Sequence, residues 1–298
     1  DADLLKRLLA SQDFRARAAA TRVLCYWRDR VPGSLELLKG LAADPYPRVR
    51  LEAVRAASFF RSPEAVEVAL ISAEHPSDYY LEYTRSETMR ALEPHWKKVL
   101  AEGGRVPVTS AAGARFFLKR LSTEQLLGLE RDRPVSLELL SRKGVEEARR
   151  RDALRDLARI EGKGELALLL EAILRLDREP AGGDAEAADP SVLYDLALLL
   201  TTRGADELAS ARADLEKLAT SARLPLTRQV GFVAMVLADG GVEEAWKVGL
   251  RSVSALRDLV SAMPLIPDAS LRASLYPKVE PLLDGLPPDL AKAFGGSR

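Results

Sequence analysis

Three stretches of this chain repeat one another at a spacing that few folds can satisfy. Arg17-Ala-Ala-Ala-Thr-Arg22, Arg50-Leu-Glu-Ala-Val-Arg55 and Arg85-Ser-Glu-Thr-Met-Arg90 each carry two arginines five residues apart, and successive copies are offset by 33 and 35 residues. Apolar positions travel with them: Ala16, Ala20, Val23 and Trp27 match Val49, Ala53, Ala56 and Phe60. Steps of four, three and four residues place such side chains on one stripe of a helix. A period of this length fits one helix, a turn and a second helix. A single pair of that size buries too little apolar surface to offset the ordering of its backbone. Successive pairs must therefore stack, each supplying part of a continuous core.

The punctuation supports this period. Leu35, Leu38 and Leu41 stripe a partner helix after Pro32-Gly33, with Ser34 as its expected cap. Asp44-Pro45 breaks the chain, and Pro47 stands where a first-turn proline is tolerated. Ser62-Pro63-Glu64 opens the next helix, and Pro94 predicts a kink or break in the one running from about Asp78 to Leu100. Beyond Gly103-Gly104 the repeat loosens, but helical patterns continue near 110–120, 123–130, 134–142, 145–160 and 163–178. They resume at 191–202, 206–221, 225–238, 242–250, 252–263 and 268–275. Pro225-Leu-Thr-Arg228 echoes Pro47-Arg-Val-Arg50. Val106-Pro-Val-Thr109 is too short to carry a sheet. The predicted division is regular repeats over 1–102, degenerate helical repeats over 103–178, a polar Gly/Pro linker over 179–190 and C-terminal helical repeats over 191–298.

Composition removes several classes of function. Lys+Arg and Asp+Glu both count 44, so there is no basic surplus of the kind that grips a phosphate backbone. Cys25 is the sole cysteine, which excludes an intramolecular disulfide and a cysteine-rich metal site. Its place beside an apolar stripe predicts a packed thiol. His75 and His95 stand twenty residues apart without a clustered carboxylate, so structural roles are expected for both. None of the Gly-Gly pairs follows a strand or carries the phosphate-loop signature. Trp27, Trp96 and Trp246 are expected to pack. The longest apolar runs, such as Leu166–Leu170, are far short of a membrane span. The chain begins at Asp1 without a methionine or a signal-like segment, as a piece of a longer protein would. Catalytic residues, metal ligands and cofactors are predicted to be absent.

The stretch Asp44-Pro-Tyr-Pro-Arg-Val-Arg-Leu-Glu-Ala-Val-Arg-Ala-Ala resembles the HEAT consensus. The resemblance implies an all-α fold, an α-solenoid of HEAT-like antiparallel helix pairs, regular in the N-terminal third and degenerate after it. It also implies a polar ladder between adjacent repeats, carried here by Asp44 and Arg50, with Arg17 and Arg85 at the matching arginine positions. Ser11 and Tyr79 stand where the other aspartates would be, so the ladder is partial. A narrower resemblance covers Val23-Leu-Cys-Tyr-Trp-Arg-Asp-Arg-Val-Pro32, His75-Pro-Ser-Asp-Tyr-Tyr-Leu-Glu-Tyr-Thr84 and Met263-Pro-Leu-Ile-Pro-Asp268. These look like the HEAT segment of large multidomain proteins, typical of planctomycetes, that are described as membrane-bound dehydrogenases with a c-type haem domain. That likeness implies a middle fragment of an exported or periplasmic protein. It transfers no redox activity, because haem attachment needs Cys-x-x-Cys-His.

One patch stands out as a candidate for binding. Tyr79, Tyr80 and Tyr83 fall near one helical face with Arg85 to its side, and tyrosine and arginine are common interface anchors. The alternative is that some of these rings fill the seam between repeats. The sequence thus predicts a non-enzymatic scaffold or protein-interaction module, docking neighbouring domains of its parent chain or a partner protein, with no membrane insertion. The other reading is nucleic-acid binding by a concave arginine-bearing face, which the charge balance disfavours.

Overall fold

The computed structural model describes residues 1–178 and 190–285. Among them every regular element is helical and there is no strand; the stretch 106–109 is extended loop. The expected linker at 179–190 lies, apart from Pro190, outside the described residues. The chain forms two compact units, Asp1–Glu130 and Arg131–Arg298.

In the first unit α1 (Ala2–Leu9), α2 (Phe14–Trp27), α3 (Ser34–Ala42), α4 (Pro47–Ala57), α5 (Val66–Ile71) and α6 (Tyr79–Ala91) follow in order. α7 (Glu93–Ala101), α8 (Ala111–Leu118) and α9 (Thr123–Leu127) complete it. Helices α2, α4 and α6 pack side by side as one layer, while α3, α5 and α8 form the other. Helix pairs therefore stack in chain order, as a solenoid requires. The contact surface of α4 is made of small side chains: Val49, Ala53, Ala56 and Ala57 are fully buried. Small residues let α2 and α6 approach closely enough for Thr88 Oγ1 of α6 to donate to the Val54 carbonyl at 3.0 Å.

Local chemistry sets the helix ends. Asp1, Asp13 and Asp78 cap α1, α2 and α6 through side-chain oxygens that accept first-turn amides. Pro94 lacks an amide proton, and the predicted break falls at Leu92, between α6 and α7. Two expectations are corrected. Ser34 is the first helical residue and is buried, because Gly33, at φ +72°, takes the cap position instead. Val23 is 40% exposed although its counterpart Ala56 is buried: α4 lies between α2 and α6 in its layer, whereas α2 has α4 on one side.

The second unit contains α10 (Arg133–Ser141), α11 (Glu147–Glu161), α12 (Glu165–Arg178), α13 (Pro190–Thr201) and α14 (Ala205–Ser210). α15 (Arg212–Ser221), α16 (Pro225–Asp239), α17 (Glu243–Gly249), α18 (Val253–Ala262) and α19 (Ala269–Val279) follow. Here α11, α13, α16 and α18 form the continuous layer, and α16 also packs on α14, α15 and α17. The helix expected over 206–221 is split at Ala211, where the Ser210 hydroxyl donates to the Glu207 carbonyl at 2.6 Å and competes with the backbone ladder. Gly231 of α16 permits the tightest crossing: a Cβ there would lie 2.4 Å from the Ala219 amide nitrogen. No described helix is long and apolar enough to cross a membrane.

Candidate interaction face

Each residue of an α-helix turns the chain by about 100°, so two arginines five apart point about 140° away from each other. One member of each Arg-x4-Arg pair therefore enters the stack and the other leaves it. Arg50 and Arg85 are buried, and Arg17 is nearly so. Arg22, Arg55 and Arg90 keep 49%, 43% and 72% of their side chains exposed.

The inward arginines stitch the repeats together. Arg17 donates from Nη1 to the Ser11 and Gln12 carbonyls of its own loop at 2.8 and 3.0 Å. It then donates from Nε and Nη2 to both carboxylate oxygens of Asp44, in the next repeat, at 2.7 and 3.0 Å. That hydrogen-bonded pair raises the Arg17 pKa. Arg50 binds its own loop in the same way, donating to the Asp44 and Pro45 carbonyls at 2.7 and 2.9 Å. Its forward contact is the Pro76 carbonyl, at 2.6 Å; Pro76 stands two residues before the α6 cap Asp78, as Asp44 stands two before the α4 cap Tyr46. Burial lowers the Arg50 pKa, against the opposing pull of the nearby Asp44 and Asp78 charges.

Arg85 departs from this pattern. It lies seven residues beyond the α6 cap Asp78, whereas Arg17 and Arg50 lie four beyond theirs. From there it meets the Ser77 hydroxyl and the face of Phe116, with Cζ 4.9 Å from the ring centroid. Arg120 covers the same ring at 3.5 Å, and burial, with Arg85 nearby, pushes its pKa down to about 10. Arg85 is thus an interior residue, and its expected place in an exposed binding patch is corrected: a half-turn past the rings, its stem points into the stack.

The tyrosines stand outside. Tyr79, Tyr80 and Tyr83 are 74%, 70% and 58% exposed. Their rings contact one another, Tyr79 edge-on to Tyr80 at 5.6 Å and stacked on Tyr83 at 6.4 Å. They fill no seam between repeats. Offsets of 33 and 35 residues place further exposed side chains in register across α2, α4 and α6. Arg22, Arg55 and Arg90 form one column, and Arg15, Arg48 and Tyr83 another. Tyr26 and Phe59, both exposed, continue the face one turn further along α2 and past the end of α4. Beneath the arginines lies Glu52, buried to 3%, which accepts from Arg22 at 2.5 Å and pairs with Arg48 at 3.2 Å and Arg55 at 3.7 Å.

The second unit repeats the inward clamp. Arg228, four residues beyond the α16 cap Leu224, donates to the Ala222 and Arg223 carbonyls at 2.9 and 2.8 Å and to Asp258 of α18 at 2.5 Å. Arg272 reaches the Ile266 and Pro267 carbonyls from the same position after Asp268. Arg150, fully buried, donates to the Leu140 and Arg142 carbonyls at 2.5 and 3.0 Å and to Asp195 of α13 at 2.8 Å. The Arg228 echo was visible as a proline three residues upstream; Arg150 had no such sign, only a carbonyl-rich loop before its helix. An open depression of about 410 Å3 borders Arg228, Arg251 and Asp258. All three charges are already paired, Arg228 with Asp258 and Arg251 with Glu216 at 2.6 Å.

His75 and His95 are half-buried at loop and helix start, and no group of three potential metal-binding side chains occurs among the described residues. Cys25 is buried, and burial raises its thiol pKa. Fold and face together define an all-α helical-repeat protein, an α-solenoid. More particularly, a family profile described as HEAT repeats matches residues 2–92, which cover α1 to α6. Searches of curated proteins and of solved structures returned no match.

Proposed function

We propose that this chain is a non-enzymatic scaffold of helical repeats that docks a protein partner on the exposed side of the α2–α4–α6 layer. HEAT repeats commonly serve protein interaction, and the matched segment is the one that carries this face. The observation behind the reading is the tyrosine cluster of α6: three rings, mutually packed, most of whose surface stays in water. Rings held in place by one another lose little further freedom on binding, and each brings a large apolar face with a polar tip. The likeness of the Val23–Pro32 and His75–Thr84 stretches to central segments of multidomain proteins supports a partner that is a neighbouring domain of the same longer polypeptide.

A photo-cross-linking residue at Tyr80 tests this in the cells that make the protein. A discrete cross-link that maps to a neighbouring domain of the longer polypeptide is expected, and it should vanish in a Tyr79→Ser/Tyr83→Ser background whose thermal midpoint is unchanged. No cross-link, or a double variant that melts with the loss of the cross-link, would remove the reading.

A further inference from the structure

The arginines of this face outnumber its acids. Arg22, Arg48 and Arg55 share the single carboxylate of Glu52, and Arg90 meets only Glu87, at 2.9 Å. Five guanidinium groups, with Arg15 beside Asp13 at 4.0 Å, stand against three carboxylates and leave two positive charges on a face flanked by the exposed rings of Tyr26 and Phe59. Building it required burying Glu52, which holds the guanidinium groups together where their repulsion would otherwise spread them. We propose that the column Arg22, Arg55 and Arg90 docks an extended acidic segment of a partner protein, with a carboxylate at every third residue. This rests on reading the first unit as an interaction module and names the chemistry of its partner.

The spacing follows from the stack. Adjacent packed helices lie about 8–10 Å apart, so equivalent arginines on α2, α4 and α6 recur at that interval. A peptide in the extended polyproline-II form advances about 3.1 Å per residue with three residues per turn, so every third side chain returns to the same side and three residues bridge one interval. Guanidinium forks match carboxylates in bidentate geometry. The column is less suited to a nucleic-acid strand. Glu52 and Glu87 sit one turn from the arginines and would oppose a continuous run of phosphates, and the chain as a whole carries no basic surplus to attract one.

The test is fluorescence anisotropy with the full chain and a labelled Glu-Gly-Ser-Glu-Gly-Ser-Glu peptide at low salt. Binding is expected, lost at high salt, and absent for the same peptide with glutamine in place of glutamate. The triple variant Arg22→Gln/Arg55→Gln/Arg90→Gln should weaken it by about tenfold or more, with circular dichroism unchanged. Lys6→Gln/Arg7→Gln, which removes two positive charges from α1, should leave it within about twofold. No binding, equal binding of the glutamine peptide, or tighter binding of a single-stranded oligonucleotide would overturn the proposal. The tyrosine cross-link is read separately. Should it persist while the peptide fails to bind, the scaffold stands and the acidic segment falls. A lost cross-link with peptide binding intact would indict the tyrosine face alone.

Discussion

The two units solve the same problem with different regularity. In the first, Arg17 and Arg50 occupy corresponding positions 33 residues apart and clamp loop to helix in the same way. In the second, Arg150, Arg228 and Arg272 lie 78 and 44 residues apart, yet each stands four residues past a helix cap and reaches back to loop carbonyls. The clamp is keyed to the start of a helix and not to a fixed period. A guanidinium at that position satisfies carbonyls that end the preceding segment, groups that helix geometry leaves without partners. The repeat can therefore drift in length while the joint between layers survives. The outward arginines behave otherwise, because a column of surface charges depends on equal spacing, which the first unit keeps at 33 and 35 residues.

The largest effect is expected in the second unit. Arg150→Met strands several buried carbonyls and Asp195, and should cost about 3–5 kcal/mol in urea unfolding followed by circular dichroism. A loss below about 1 kcal/mol would mean that this clamp does not hold its unit together. Glycines sharpen the contrast between the units. Gly231→Ala sets a methyl against the α15 backbone and should destabilise by about 2–3 kcal/mol. Gly40→Ala on α3 of the first unit meets nothing within 4 Å and should stabilise by about 0.5–1 kcal/mol. Opposite signs in the same denaturation assay are the expected outcome.

Asp44→Ala removes the carboxylate from Arg17 and from the Tyr46 amide, and about 2 kcal/mol should be lost in thermal melts of known enthalpy. Cys25 offers a local readout in that unit. Burial places its pKa above the ordinary thiol value, so thiolate forms only at pH beyond the usual thiol range. Alkylation by iodoacetamide should be slow in the folded protein across neutral pH and should accelerate in Asp44→Ala; rapid native labelling would contradict the buried thiol. At the small end, Tyr79→Ser/Tyr83→Ser should shift stability by less than about 0.5 kcal/mol per site, because nothing in the stack depends on those rings.

How much of this was legible beforehand depended on what carried the signal. Stripes such as Leu35, Leu38 and Leu41, and breakers such as Pro94, act locally, so the helices and the break at Leu92 followed from the sequence. The cap at Gly33 and the split at Ala211 did not, because each is settled by one backbone torsion or one hydroxyl among several able to act. Within the face, the tyrosines were legible as a helical patch but their exposure was not, since a seam and a surface show the same spacing. Arg85 was misplaced for a related reason. Its alignment with Arg17 and Arg50 was right, but α6 starts a turn earlier relative to it and changes what it can reach. The pairing of three arginines with Glu52 needed the offset of 33 residues to be applied to every exposed position, not only to the apolar ones.

A direct trial of the in-and-out division uses two arginines of one helix. Arg50→Gln and Arg55→Gln are measured in the full chain by urea unfolding, with the acidic peptide titrated against each. Arg50→Gln should lose about 2–4 kcal/mol of stability, since it leaves the Asp44, Pro45 and Pro76 carbonyls without their donor. Arg55→Gln should stay within about 0.5 kcal/mol of the parent while weakening the peptide. Equal losses of stability from the two, or a stable Arg50→Gln, would contradict a stack stitched by its inward arginines and lined by its outward ones.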